Sequence, residues 1–392
     1  MFQFKQYDWK KFNVTLVIVV IILCLCSAFL VRCAAEEQFK YSYFKGQIVA
    51  LIFGLAVLFV VALIDYHFIC RFVLIYYIIG TIMVFATKFT PLGTDLGTDS
   101  YRWLSIGFNF QPSEVCKIIL ILTLAVYFET RLDKMESFTT LIIGGMIMAL
   151  PTLFILVQSD LSSSLVMIFI FAIMAYGSGL SYKIIGSVLA VAIPACIALF
   201  WYIQQPWQKL LHGYQYNRIA SWLDPEAYAL REAFQQNHSI QSIGSGQLLG
   251  KMFTDPTGDR HYSGYVDVVE SDFIFTVIGE ELGFVGSCVI LALLAVVIIK
   301  CLRVAKRARD YQGRMIALGI ASMFMFQVFA NVGVATRILP NTGLPLPFLS
   351  RGLSSTLSSM IGIGIILNIG MQSRIGSRSG FSMNDYDKRG NY

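Results

Sequence analysis

Apolar runs of roughly 18–25 residues recur along the whole chain and constrain its fold more than any other feature. A helix of that length spans a hydrocarbon slab about 30 Å thick. The 392 residues are 56% hydrophobic and only 14% charged, with a mean hydropathy of +0.66. A water-soluble domain cannot hide so much apolar surface, so most of it must face lipid. The chain reads as an all-α polytopic membrane protein of about ten transmembrane helices. They fall at about 14–32, 47–65, 70–88, 113–130, 139–158, 160–178, 183–203, 271–299, 314–337 and 350–371. The run from Val14 to Val31 is too long for a signal-peptide core and has no small-residue cleavage site, so it is read as a retained helix. Residues 1–392 read as one integral membrane domain, with no soluble domain and no internal repeat.

Lys and Arg in short loops set the orientation. The strongest such loop is Lys300–Arg314, with six basic residues against one acid. Placing it in the cytoplasm also places there the N-terminus (Lys5, Lys10, Lys11), the 130–138 loop and a tail at about 372–392 (Arg374, Arg378, Lys388, Arg389). Both termini are therefore expected to be cytoplasmic, with a large extracellular loop at about 204–270 between the seventh and eighth helices. The net charge of +6 is spread over these topology signals and forms no nucleic-acid footprint. The eight cysteines lie in or beside apolar runs without C-x-x-C or zinc spacing, as small hydrophobes do.

Ionisable groups inside a membrane segment are expensive and mark functional sites by default. Val268–Phe284 sets Glu270, Asp272, Glu280 and Glu281 at the start of an apolar run. Asp272 falls at the outer mouth of its helix, either as an N-terminal cap or as a carboxylate on the boundary between water and lipid. Glu280 lies about 12 Å deeper, and with Glu281 it reads as a paired or protonated carboxyl packing the helix against its neighbours. Tyr101–Lys117 carries interfacial aromatics, a helix start at Gln111-Pro112-Ser113-Glu114, and Glu114 and Lys117 on one helical face. That pair is either a local ion pair or a cation offered to an anionic ligand. Gln158–Leu165 is a polar step with Asp160 as a candidate cap. Gln241–Gly246 could turn backbone N–H groups toward phosphate, or be a simple turn. Leu339–Ser350 is too rich in proline for a helix and must be buried in protein or line a cavity. These groups gather on the outer side, where there is no ATP, so a substrate there must carry its own activation.

The pattern resembles the SEDS family (shape, elongation, division and sporulation proteins). The resemblance rests on Arg102-Trp103, Gln111-Pro-Ser-Glu114 with Lys117, Ser271-Asp-Phe-Ile-Phe275, Gly279-Glu-Glu-Leu-Gly-Phe284, Asn331-Val-Gly333 and Gly343-Leu-Pro-Leu-Pro-Phe-Leu-Ser350. Tyr214-Gln215 and Arg218 leading to Asp224-Pro225 fit the same family's outer loop, and the match runs in order along the chain. The short N-terminus and Asp65-Tyr66 look more like its RodA branch than its FtsW branch. The resemblance implies a peptidoglycan glycosyltransferase that polymerises lipid II on the outer face of a bacterial cytoplasmic membrane, for cell-wall elongation or division. The implied partners are a class B penicillin-binding protein and other membrane proteins of the elongation or division complex. It implies Asp272 as catalytic base, and Arg102, Glu114, Lys117, Asp160, Arg218, Gln241 and Ser242 as substrate-binding. A divalent cation, Mg²⁺ or Mn²⁺, bridging Asp272 or Glu114 to the pyrophosphate is compatible with that chemistry.

The chain departs from the family pattern at Arg337, at Ser350-Arg351-Gly352-Leu353-Ser354-Ser355, and at Ser162-Ser163 after Asp160. Two further readings of the same features are a lipid II flippase and a non-catalytic scaffold for the penicillin-binding protein. A flippase needs charges through its whole depth, whereas these cluster on one side.

Overall fold

The computed structural model describes residues 7–372 apart from 36–37, 95–100, 106, 108, 206, 209–212, 229–232, 257, 263–265 and 267. The basic tail with Arg374, Arg378, Lys388 and Arg389 lies outside the described residues. Each segment expected to be helical contains a helix: α1 (Val14–Ala34), α2 (Lys40–Leu63), α4 (Val73–Phe89), α5 (Pro112–Glu129), α6 (Phe138–Val157), α7 (Leu161–Gly177), α8 (Tyr182–Ile203), α12 (Ile274–Arg307), α13 (Tyr311–Ala335) and α14 (Leu353–Gln372). Among the described residues seven of these are long and apolar enough to cross a membrane. Of the other three, α4 and α7 are shorter apolar helices, and α5 carries Glu114 and Lys117 near its start. Four helices were not foreseen: α3 (Tyr66–Arg71) and, inside the expected loop, α9 (Gly213–Leu223), α10 (Phe234–Ser245) and α11 (Lys251–Thr254).

The helices start where a side chain can take the orphan backbone N–H groups. Asn13 caps α1, Asp65 caps α3, Ser137 caps α6, Asp160 caps α7 and Asp310 caps α13. α13 and α14 are the most internal helices, with α2, α5, α7 and α12 packed around them. Outer helices turn large apolar side chains outward, among them Ile52 and Phe53 of α2, Leu74 and Ile82 of α4, and Ile142 and Leu153 of α6. Apolar outside as well as inside is the pattern of a chain solvated by lipid. A three-stranded antiparallel sheet precedes α5: β1 (Gly93–Thr94), β2 (Trp103–Ser105) and β3 (Asn109–Phe110), with Gly93 opposite Leu104 and Leu104 opposite Phe110.

α12 differs most from expectation. It breaks at Gly283, whose φ of 66° and ψ of −166° suit only glycine. A Cβ there would stand 2.4 Å from Gly250 N. The break frees backbone groups, and the preceding loop takes them up: Phe284 N donates to Gln247 O (2.8 Å) and Val285 N to Leu248 O (3.1 Å). The leg beyond the break, 284–307, is about 24 residues or roughly 36 Å, enough to span a bilayer alone.

The short leg before it carries Glu280 and Glu281, at 0% and 3% exposure. Their partners are loop cations, not neighbouring helices as expected. Lys251 Nζ lies 2.6 Å from Glu280, which also accepts from His261 N (2.8 Å). Arg260 Nε lies 2.6 Å from Glu281, and Tyr262 donates its hydroxyl to the same oxygen (2.7 Å). The acids staple the 251–262 segment to the broken helix.

At the opposite, basic end of the bundle, α3 joins α13 and α14. His67 bridges Asp65 (Nδ1, 2.9 Å) and Asp310 (Nε2, 2.7 Å), Tyr66 donates its hydroxyl to Asp310 (2.7 Å), and Gln372 donates to Asp65 (3.2 Å). The hydrogen bond to Asp310, with Asp65 adding to it against burial, pushes His67 up to about 9. Burial pushes Asp65 and Asp310 up, but hydrogen bonds led by His67 outweigh it and hold both below the usual carboxylate range. A raised imidazolium stabilises the fold fully below its unfolded value near 6.5 and loses that contribution as pH rises through about 9. The thermal unfolding temperature in detergent is therefore expected to fall as pH rises from 6.5 to about 9, with the slope flattened in His67→Gln. An unchanged slope in that variant would remove the bridge from the account.

Candidate functional site

The site forms where four irregular or terminal pieces of chain meet at the loop end. Asp272 sits on a turn two residues before α12, with Ser271 N and Asp272 N both donating to Val268 O. One side chain ties this turn to the rest: Asn331 of α13 donates to Asp272 O (2.8 Å) and to Leu344 O (2.7 Å). The Pro-rich segment 339–348 is thereby held against the turn. Ser350 closes the same corner, donating to Ser271 O and accepting from Leu346 N. Leu344, Leu346, Phe348 and Leu349 are buried, so this irregular backbone is inside protein, as expected.

The Asp272 carboxylate accepts from its neighbour Ser271 Oγ at Oδ1 (2.6 Å). It turns toward Arg102 across Gly343, where a Cβ would lie 2.9 Å from Asp272 Oδ2 and 3.9 Å from an Arg102 guanidinium nitrogen. Gly343 itself has φ +71°, so both its conformation and its missing side chain are used. Arg102 leads into β2 and donates to Ser159 O (3.2 Å). The next residue, Asp160, caps α7 by accepting from Ser163 N (3.0 Å) and Ser163 Oγ (2.8 Å), and is 2% exposed. Ser162 donates to Thr342 O, binding the start of α7 to the Pro-rich segment.

Arg218 of α9 completes the group. Burial and then the field of Arg102 pull its guanidinium down to about 10, against the attraction of Asp272 and Asp160. Withdrawal from water pushes the Asp272 carboxyl up, opposed by the Ser271 hydroxyl, Arg102 and Arg218. Two arginines and two carboxylates thus act on one another's charge.

The remaining expected residues are placed differently. Glu114 and Lys117 stand 1% and 0% exposed with Nζ 2.7 Å from Oε1, a closed internal ion pair. Ser358 of α14 donates to Glu114 O (2.8 Å) and Ser354 accepts from Gln111 N (2.9 Å), locking α5 to α14 around that pair. Gln241–Gly246 is the end of α10 and the residue after it, so its N–H groups serve the helix and form no phosphate cradle. Gln241 faces outward, while Ser242 is buried with an unpartnered hydroxyl among the described residues. Arg351, a departure from the family pattern, stacks on Tyr43 (3.4 Å to the ring centre) and pairs with Glu270 (3.0 Å). Its charge is spent within the protein.

Sequence reasoning gave Asn331 no role, although its place in a motif pointed to it. It overlooked Gln236, which donates to Val334 O and Leu339 O, and Ser239, which meets Thr276 and donates to Ala335 O. A polar stripe at helical spacing, Gln236, Ser239 and Ser242, was the available signal. Among the described residues no three His, Cys, Asp or Glu side chains converge as a metal site. Glu114, held by Lys117, does not fit as a cation ligand beside Asp272.

A family model described as cell cycle protein, covering FtsW, RodA and SpoVE, matches residues 9–375. The chain is 31% identical over 379 residues to the peptidoglycan glycosyltransferase MrdB of Escherichia coli (strain K12), covering 96% of this chain and 98% of that one. It is 30% identical over 374 residues to a probable peptidoglycan glycosyltransferase FtsW of Geobacter sp. (strain M18), covering 92% and 97%. Among solved structures, the rod shape determining protein RodA of Thermus thermophilus shares the fold, with TM-score 0.63 at 22% identity over 94% and 98% of the two chains. A chain from a peptidoglycan synthase complex, described for its coordination of polymerization and crosslinking, aligns with TM-score 0.72 at 25% identity over 93% and 97%.

The closed pair on α5 makes a test of its own. Lys117→Met leaves a buried carboxylate without its counter-charge and is expected to cost about 3–5 kcal/mol, whereas Glu114→Gln with Lys117→Met should recover most of that loss. Unfolding of the two variants in detergent compares them directly, and equal losses would mean that the pair is not an internal lock.

Proposed function

This chain belongs to the family of FtsW, RodA and SpoVE proteins, and on that premise we propose that Asp272 is the general base of a peptidoglycan glycosyltransferase acting on lipid II. The protein is a multi-pass membrane enzyme. Its site opens at the loop end of the bundle, which the distribution of Lys and Arg assigns to the outer face of the bacterial cytoplasmic membrane. The span count of about ten belongs to the same reading, with α4, α5 and α7 crossing beside the seven longer helices.

The chemistry follows from the substrate. The donor sugar carries a pyrophosphate, so its leaving group is good and needs no ATP. A β-1,4 bond made from an α-linked donor requires one inverting displacement. Asp272 takes the proton from the acceptor hydroxyl as that oxygen attacks the anomeric carbon, and the carbon–oxygen bond to pyrophosphate breaks. Arg102 and Arg218 receive the charge that develops on the departing pyrophosphate. Asp160 offsets part of their charge before substrate arrives. A base raised by withdrawal from water accepts a proton more readily near neutral pH than an ordinary carboxylate does. Lys117 takes no part, being closed against Glu114. A divalent cation arriving with the pyrophosphate would find Asp272 as its carboxylate and would shield phosphate charge. The partner that crosslinks the product is a class B penicillin-binding protein.

The observation that carries this reading is the approach of Asp272 and Arg102 on either side of Gly343, with Arg102 bound to Ser159 O beside Asp160 and Arg218 acting on both carboxyl groups. Lipid II polymerisation by the native protein with its partner, transpeptidation blocked, is expected to yield glycan strands. Asp272→Asn keeps the shape and should lower the rate by about 10²–10⁴, and Arg102→Ala by about 10²–10³. Full activity of a folded Asp272→Asn would sink the assignment, and strands from neither protein would favour the flippase or scaffold.

A further inference from the structure

A concavity borders the end of α9, the helix that carries Arg218. Four residues on, the same helix carries Trp222, whose indole N–H donates to Arg337 O (3.2 Å). Directly after α9, Asp224, Pro225 and Glu226 line a cavity of about 310 Å³ together with Asn237 of α10 and Arg337. Asp224 follows Arg218 by six residues, a rise of about 9 Å along the helix axis.

Arg337 follows α13 with φ +58°, a conformation that L side chains rarely adopt. One guanidinium nitrogen is fixed to Asn237 Oδ1 (2.8 Å). Asp224 is exposed and accepts from Ala227 N (3.3 Å) through Oδ1. Among the described residues no ion pair closes between Arg337 and either carboxylate, although all three border one cavity. Two acids and one cation that share a space without touching leave room for a ligand bearing both signs.

We infer that this cavity is a subsite for a zwitterionic amino-acid group of the substrate, its ammonium held by Asp224 and Glu226 and its carboxylate by Arg337. The inference rests on the glycosyltransferase reading, because a peptidoglycan precursor carries a peptide on the sugar that reacts. The peptide branch supplies free ammonium and carboxylate groups, and α9 leads from Arg218 to the acids that border this cavity. The carboxylates of Asp224 and Glu226 are exposed and Arg337 is half-buried, so water screens the contacts and selectivity is a matter of several-fold.

The test is polymerisation of synthetic lipid II in matched pairs, with the transpeptidase of the partner blocked. One pair differs only in acetylation of the free ammonium of the peptide, the other only in amidation of the free carboxylate on the same amino acid. The native protein is expected to prefer the free ammonium and the free carboxylate by about five-fold in kcat/KM. In Asp224→Asn with Glu226→Gln the ammonium preference should fall to unity, and in Arg337→Gly the carboxylate preference should do the same. Each ratio is internal to one variant, so a poorly folded fraction lowers both rates and leaves the ratio intact. Equal rates on free and blocked substrates by the native protein would overturn the subsite while leaving the glycosyltransferase standing. Strands from no substrate at all would overturn both.

Discussion

A backbone that crosses lipid finds no water for its N–H and C=O groups, so each interruption of a helix at that depth must be met by protein. This requirement organises the active end of the molecule. The Pro-rich segment 339–348 cannot be helical, and its carbonyls go to Asn331, Gln236 and Ser162. The break at Gly283 is covered by the backbone of Gln247 and Leu248. The side chains that satisfy these interruptions also position the turn bearing Asp272. Backbone accounting and active-site construction are therefore one problem solved by one set of residues.

Electrostatics follow the same economy. Buried charges in this protein come in two kinds. Glu114 with Lys117, and Glu280 and Glu281 with Lys251 and Arg260, are closed on themselves by direct contacts of 2.6–2.7 Å. Arg102, Arg218, Asp160 and Asp272 instead act on one another's charge from four separate pieces of chain. The closed pairs anchor helices and loops, and the second group stands where the Asp272 turn meets the Pro-rich segment.

The helices were legible because a lipid-spanning run has few alternatives at 1.5 Å per residue. Asp272 stood out in the sequence as a charge beside an apolar run, Asp160 as a helix cap, and Arg102 only through the family resemblance. Partner choice was not legible. Lys117 read either as half of a local ion pair or as a cation offered to a ligand, and the i to i+3 spacing that put it beside Glu114 lets the two close together. The Glu pair read as an interhelical contact because nothing local marks Lys251 and Arg260, some twenty to thirty residues earlier, as its partners. The helical α10 was hidden in a polar loop, since its stabilising contacts to α12 and α13 are tertiary. Gly283 carried no local sign that its helix breaks there.

That break bears on how the chain is built as well as on how it rests. Lys251 and Arg260 leave the ribosome before Glu280 and Glu281, so the counter-charges of the acids are already made when the acids appear. The segment after Gly283 is apolar and long enough to be handed to the bilayer on its own. The acid-bearing leg before it can then stay with the translocated loop, and at no stage of biogenesis must two bare carboxylates be threaded into hydrocarbon.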